Sequence, residues 1–331
     1  MQRGDGPRVS VLVAVHNAAA TITRALNSVL AQSFSGFEVI VVNDGSTDET
    51  ARELSEYNGR LRVIEQERAG QAAARNITAR DACGEYIAFL DADDQWLPGK
   101  LRRCVEVLDS DRNCALVYSD ASVVDSDGAP QASAVVRPET AHAPSMNELL
   151  ERMWPILPST VLMRREVFER TGGFVPELAG CEDIYFWLVA RERGEFRYIP
   201  EKLAIYTLDS YPAILKVLRR DLEGSGTRLI RRLNHRYGAR AAGLIRNFKD
   251  HKARMLSRVG LLALRRHDAA YARACFLRAI AWDPLRARSY LRLGRTLLPG
   301  PLAQMLGGKT ASGKSGGGVL ELPDDRWRAA S

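Results

Sequence analysis

The chain has 331 residues, 46% apolar and 26% charged, a balance that excludes a disordered chain and fits a folded globular one. It contains no run of about 18 uninterrupted apolar residues that would cross a membrane, and the polar, Gly-rich Met1–Pro7 lacks the basic-then-apolar pattern of a secretory leader. The net charge of +7 is unevenly spread, −10 over residues 1–209 and +17 over residues 210–331, which points to two functions and a back half that faces something anionic.

Arg8–Val15 reads as a strand with almost no polar residues, hence covered on both faces, and it ends in His16-Asn17. Residues Thr21–Ala31 have helical spacing, with Ile22, Ala25, Leu26, Val29 and Leu30 on one side. Phe37–Val42 is a second strand, closed by Asn43-Asp44-Gly45-Ser46-Thr47-Asp48, a turn that leads into a helix N-cap. Leu61–Ile64 is a short third strand, and Gly70–Asn76 opens a helix. Tyr86–Leu90 is a fourth, buried strand that runs into Asp91-Ala92-Asp93-Asp94.

Strand and helix alternating at this spacing predict a parallel, doubly wound sheet. Ligands bind such sheets beyond the carboxyl ends of the strands, where His16-Asn17, Asp44-Gly45-Ser46 and Asp91 to Asp94 all fall. No GxGxxG follows the first strand and no GxxxxGK[ST] occurs, so neither a dinucleotide-binding fingerprint nor a P-loop is present.

Three carboxylates within four positions repel one another. A divalent cation with a taste for hard oxygen ligands, Mg2+ or Mn2+, would relieve that repulsion and could hold a diphosphate. The alternative is a solvated acidic turn that caps a helix starting near Pro98.

Further on, Ala115–Asp120 and Ser159–Met163 read as strands, Asp125–Gly128 as a turn and 129–144 as loop. Arg165–Arg170 is a helical turn or two closed by Gly172-Gly173. Gly180–Ala190 is an apolar helix whose first turn holds Glu182 and Asp183. The helix dipole favours acids there, and an acid exposed at a helix start over a pocket is also a candidate general base. Tyr198–Pro200 and Leu203–Tyr206 complete this half. The cysteines at 83, 104, 114, 181 and 275 are odd in number and lack metal-ligand spacing, as expected of a reduced cytoplasmic protein.

Taken in order over residues 8–208, these segments resemble a family 2 glycosyltransferase of the inverting, GT-A type. The resemblance rests on Val9–Asn17, Val41–Asp48, Ala74-Arg75-Asn76, Phe89–Trp96, Gly172-Gly173-Phe174, and Glu182-Asp183 followed by Trp187-Leu188. It implies an α/β fold, a Rossmann-like mixed sheet flanked by helices. The implied activity is metal-dependent transfer of a sugar from a nucleotide-diphosphate sugar, a UDP-sugar first among them, to a glycan or lipid-linked acceptor of the cell surface.

By that resemblance His16, Asn17, Asp44, Gly45, Ser46, Arg75, Asp91 and Ala92 hold the donor, with Asp44 on the base and Asp91 on the ribose. Asp93 and Asp94 hold Mn2+ or Mg2+, and Asp183, with Glu182 beside it, deprotonates the acceptor. The sequence departs from the family at the segment that often closes this domain. Tyr206-Thr207-Leu208-Asp209-Ser210 lacks the usual His and Arg, and Asp209 stands as a candidate substitute. A non-catalytic relative that uses its helical region as an interaction module is the competing reading.

The expected organisation is a catalytic domain over 1–210, a basic helical region over 211–300 and a disordered tail over 301–331. Gly260, Ala272, Phe276, Ala279 and Pro284 fall at positions like those of one tetratricopeptide hairpin. The dense arginines of 219–266 suit peripheral contact with an anionic membrane on the inner face of the plasma membrane. No nucleic-acid motif accompanies them, so no nucleic-acid partner is expected.

Overall fold

The computed structural model describes residues 6–125, 128–131, 138–208, 224–265 and 268–296. Expectations for Asp209, for the start of the basic helical region at 211–223 with Arg219 and Arg220, and for the 301–331 tail lie outside those residues. The chain divides into two compact units, residues 1–251 and residues 252–331.

The first unit is built on β1 (Val9–Val15), β2 (Phe37–Asp44), β3 (Arg62–Gln66), β4 (Tyr86–Asp91), β5 (Gln95–Trp96), β6 (Cys114–Val124), β7 (Val161–Arg164) and β8 (Glu195–Thr207). They form one eight-stranded sheet in the order β3-β2-β1-β4-β7-β6-β8-β5. β3, β2, β1 and β4 are parallel, as the alternating pattern predicts. β7 then enters antiparallel to both β4 and β6, so the sheet is mixed. β7 follows β6 through a short helix at Met146–Glu151 and a 3-10 turn at Pro158–Thr160 and returns beside it; antiparallel neighbours do not need the crossover that parallel ones require.

β1 is central and apolar because both its faces are covered: Val9, Val11, Val13 and Val15 are buried, as is Leu12 between them. α1 (Ile22–Leu30) packs Ile22, Ala25, Leu26 and Val29 into the same core as the β1 valines. α2 (Thr50–Ser55), α3 (Gln71–Arg80), α4 (Lys100–Ser110), α5 (Met146–Glu151), α6 (Arg165–Thr171) and α7 (Glu182–Arg191) complete the helices through residue 191. α6 stops at Gly172, which adopts φ 81°. An aromatic cluster of Phe89, Phe168, Phe174, Phe186 and Trp187 joins β4, α6 and α7, with Phe174 stacked on Phe186 at 4.2 Å. Burying each such side chain contributes about 1.5–3 kcal/mol.

β8 is one strand and not two segments. Its pairing with β6 jumps from Ser119↔Ile199 to Asp120↔Lys202. The irregularity accommodates Pro200, which has no N–H for the ladder.

α8 (Ser225–Tyr237) and the start of α9 (Ala242–Arg265) belong to the first unit, beyond the expected boundary at 210. Arg228 Nε donates to the Glu177 carbonyl at 2.8 Å, Arg236 pairs with Glu192, and Asn247 Nδ2 donates to the Glu151 carbonyl at 2.8 Å. Part of the basic back half is therefore engaged within the protein.

In the second unit, α10 (Ala269–Trp282) and α11 (Ala287–Arg295) form a hairpin. Ala272, Phe276 and Ala279 are buried, and a Cβ at Gly260 would stand 2.6 Å from the Phe276 ring. Only glycine lets that ring approach the helix backbone. Among the described residues, no helix is long and apolar enough to cross a membrane.

Candidate active site

The sheet register brings the polar strand ends together. Val15 lies opposite Asn43, and Ala14 opposite Asp91, so the residues that follow β1, β2 and β4 share one edge. Asn17, with φ 51°, turns the chain there in the left-handed region that asparagine tolerates. Its backbone N–H donates to Ser46 Oγ at 3.0 Å and its Oδ1 accepts from Thr47 N at 2.8 Å. His16 Nδ1 donates to the Asp44 carbonyl at 2.8 Å, which fixes the ring between β1 and β2. Gly45 sits at φ 63° with Arg68 N only 2.8 Å from where a Cβ would be, so no other residue fits without displacing the backbone.

Asp44 is 2% exposed and saturated. Oδ1 accepts from Gln66 Nε2 at 2.5 Å and Ala69 N at 2.7 Å, and Oδ2 from Arg68 at 2.5 Å and Gly70 N at 2.9 Å. Burial works against its charge, but the Ala69 and Gly70 N–H groups with Gln66 and Arg68 more than offset it and hold the carboxyl below its usual range. Four donors fill the lone-pair sites of a carboxylate, so a nucleotide base reaches Asp44 only by displacing one of them.

The acidic stretch closes as a tight turn, Asp94 N donating to the Asp91 carbonyl at 3.1 Å. Asp91 Oδ1 accepts from Gln71 Nε2 at 3.0 Å and Arg75 Nη2 at 2.5 Å. Ala92 is half-buried and packs on the central core. Asp93 presents its carbonyl to Thr207 Oγ1 at 2.7 Å and to Arg24 at 3.3 Å. Asp94 is 1% exposed, and its Oδ1 accepts from Thr207 N at 2.9 Å while Oδ2 is closed to solvent and has no hydrogen-bond partner. Burial, then the charges of Asp91 and Asp93, push its pKa well up.

On the other side of Arg75, α7 starts at Glu182. That side chain is 5% exposed; its Oε2 accepts from Gly180 N at 2.5 Å and its Oε1 lies 3.7 Å from Arg75. Asp183 is partly exposed and its Oδ1 accepts from Ile184 N at 2.8 Å. Desolvation and the Glu182 charge push it up to about 6, against the pull of the Ile184 N–H and Arg75. A carboxyl with a pKa near working pH suits proton abstraction.

The sequence-predicted residues thus fall into two groups tied by Arg75: the strand-end cluster with Asp91, and the start of α7 with Glu182 and Asp183. Sequence reasoning missed Gln66, Arg68, Gln71, Ser159 and Thr207. Ser159 Oγ accepts from the Asp91 N–H at 3.0 Å, and its carbonyl takes the Trp96 indole N–H at 2.7 Å. Gln66 and Arg68 could have been found as the polar end of β3, by the same rule that picked out the ends of β1, β2 and β4. Ser159 and Thr207 act through folding and carry no local signal.

Among the described residues no group of three or more His, Cys, Asp or Glu could hold a metal ion by itself.

The sequence model described as Glycosyl transferase family 2 matches residues 10–172. The Bacillus subtilis glycosyltransferase TuaG, named for teichuronic acid biosynthesis, is 34% identical over 210 residues, 61% of this chain and 79% of TuaG. The Bacillus subtilis glycosyltransferase EpsE is 30% identical over 211 residues, covering 61% of this chain and 73% of EpsE. Other relatives are far longer; the match spans 30% of one from Rickettsia conorii. Among solved structures, S. aureus TarS 1–349 in complex with UDP superposes with a TM-score of 0.51 at 22% identity, over 81% of this chain and 87% of that one, a likeness of fold. The chain belongs to glycosyl transferase family 2.

Proposed function

We propose that the chain is an inverting transferase that moves a sugar from a nucleotide-diphosphate sugar to an acceptor hydroxyl. The observation that carries this reading is Asp183, a partly exposed carboxyl pushed up to about 6, next to Glu182, which shares Arg75 with the strand-end carboxylate Asp91. Asp183 takes the acceptor proton while the acceptor oxygen attacks the anomeric carbon from the face opposite the diphosphate. The sugar–phosphate C–O bond breaks and the nucleoside diphosphate leaves with the electron pair, so no enzyme nucleophile is needed.

Asp91 and the strand ends at His16-Asn17 and Asp44–Ser46 hold the nucleoside. Asp93 is the carboxylate best placed by exposure to hold Mn2+ or Mg2+ together with the donor's phosphates. Such a cation supplies charge stabilisation to the departing diphosphate. Asp94, turned inward onto Thr207, serves the turn itself.

A UDP-sugar is the donor favoured by the TarS complexes with UDP and UDP-GlcNAc. A cell-surface glycan or lipid-linked acceptor is favoured by the relative named for teichuronic acid biosynthesis. The basic back half suits peripheral contact with an anionic membrane. A thermal-shift panel of UDP-, GDP-, dTDP- and CMP-sugars, with and without Mn2+, tests the donor, because a ligand of the folded state raises the melting temperature by mass action. A shift with one nucleotide class, and product formation lowered about 10²–10⁴-fold in Asp183→Asn, is the expected result. No shift with any donor would sink the reading.

A further inference from the structure

Helix α3 carries Arg75 and Asn76 side by side; Asn76 reaches the Phe174 backbone, and Arg75 reaches Asp91 and Glu182. Asn76 Nδ2 donates to the Phe174 carbonyl at 2.7 Å and its Oδ1 accepts from Phe174 N at 2.8 Å. Gly173 makes this possible: at φ 80°, a Cβ there would lie 2.6 Å from Asn76 Oδ1. The loop that leads to α7 is therefore locked onto α3. Arg75 is 3% exposed, bonded to Asp91 at 2.5 Å, and 3.7 Å from Glu182, with its guanidinium 5.3 Å from the Phe174 ring centroid. A group this buried is poorly placed to reach a ligand. It is well placed to feel one through Asp91.

We propose that Arg75 is a positioning residue for the base Asp183, reaching from Asp91 to Glu182 so that the readiness of the base depends on whether the donor side is occupied. The inference rests on the donor-site reading above. Donor hydroxyls that donate to Asp91 compete for the lone pairs now given to Arg75 and Gln71. The guanidinium, loosened from Asp91, moves its charge toward Glu182. Glu182 on α7 and Arg75 on α3 are the charged groups that act on Asp183. Neutralising the first makes ionisation of the base easier. Donor binding thereby precedes activation of the acceptor hydroxyl, and a base without donor stays less able to take a proton.

The test follows the Asp183 carboxyl by 13C NMR across pH, its signal identified by its loss in Asp183→Asn, with and without UDP plus Mg2+, which is diamagnetic and leaves the signal visible. In wild type the midpoint lies near 6 and falls on adding UDP. Arg75→Lys keeps the charge but has no fork to span both acids. Its midpoint is expected to rise by about one pH unit and to stop responding to UDP. Glu182→Gln is expected to lower the midpoint and likewise remove the response, and it serves if Arg75→Lys does not fold. An Arg75→Lys midpoint equal to wild type, or a UDP response equal to wild type, overturns the proposal. A wild type that shows no thermal shift with UDP defeats the donor reading instead, and the nucleotide-free difference between wild type and Arg75→Lys still decides whether Arg75 tunes the base.

Discussion

Asp44 at the end of β2 and Asp94 just past the end of β4 are two carboxylates almost closed to solvent, 2% and 1% exposed, with opposite electrostatics. Asp44 meets two side-chain and two backbone donors and is held below its usual range. Asp94 meets Thr207 N on one oxygen and the Ser159 hydroxyl as a partial offset, but burial and the charges of Asp91 and Asp93 outweigh both and push it well up. Burial opposes both charges; at Asp44 four donors outweigh it, whereas at Asp94 the heavier burial and two like charges add up. The satisfied acid acts as scaffold, since it ties the 66–70 loop and the start of α3 to β2. The frustrated turn is the place where an added positive charge gains most.

The largest effect expected from this contrast is at the satisfied acid. Asp44→Ala leaves the Ala69 and Gly70 N–H groups and Arg68 without their acceptor, which costs about 3–5 kcal/mol, read by urea unfolding at pH 7. The folded pKa of Asp44 is lowered, so its contribution is complete above about pH 4 and is lost as pH falls through the folded value. The gap between wild type and variant must therefore close on acidification below pH 4. A gap that persists unchanged there would show that the loop is held by something other than the carboxylate.

The second effect concerns Asp183, whose pKa is raised from 3.8 to about 6. The folded state binds the proton more tightly than the unfolded one, so this group's contribution is fully present below about pH 4 and is lost as pH rises through 6. A shift of about two units corresponds to at most about 3 kcal/mol. Asp183→Asn is thus expected to be more stable than wild type at pH 7 and close to it at pH 4, while losing activity, the exchange of stability for function typical of a working site. Equal stability of the two proteins at pH 7 would show that the fold does not raise the Asp183 pKa.

A third effect, about 2.7 kcal/mol at a ligand concentration 100 times Kd, separates the turn from the scaffold. Mn2+ with UDP is expected to raise the melting temperature more than the two alone combined, because the diphosphate completes the coordination sphere. Asp93→Ala should abolish the excess. If Mn2+ alone gives the full shift, the protein by itself chelates the metal.

Much of this site was legible because a strand that is buried on both faces can hold polar residues only where it leaves the sheet. The runs Val9–Val15, Phe37–Val42 and Tyr86–Leu90 therefore pointed at His16, Asp44 and Asp91 without a structure. The direction of β7 was not legible, since Val161-Leu162-Met163 is equally apolar read either way. α5 was missed although Ser145 and Glu148 form a capping box that the sequence displays. The motifs at Ala74-Arg75-Asn76 and Gly172-Gly173-Phe174 were each visible, but not that Asn76 grips the Phe174 backbone, because nothing local records a pairing 98 residues apart.

The smallest effect is the sharpest test of the contrast. Asp94→Asn keeps an oxygen for Thr207 N and removes a charge that its neighbours oppose, but it puts an amide into a closed part of the turn where the second carboxylate oxygen has no hydrogen-bond partner. The gain and the loss are each of order 1–3 kcal/mol, so the net change expected at pH 7 is within about 1 kcal/mol of wild type. The same substitution at Asp44 removes half of a fully used acceptor and should cost several times more. If the two cost the same, burial and not partnership governs these acids, and the frustration assigned to the β4 turn is absent. The Mn2+ and UDP shift then reads the turn from the other side. Retained in Asp94→Asn and lost in Asp93→Ala, it assigns the metal to the exposed acid and the fold to the buried one. Lost in both, it means that Asp94 turns outward when the cation arrives and releases Thr207, and the end of β8 should then exchange its amide hydrogens faster in the bound state than in the free one.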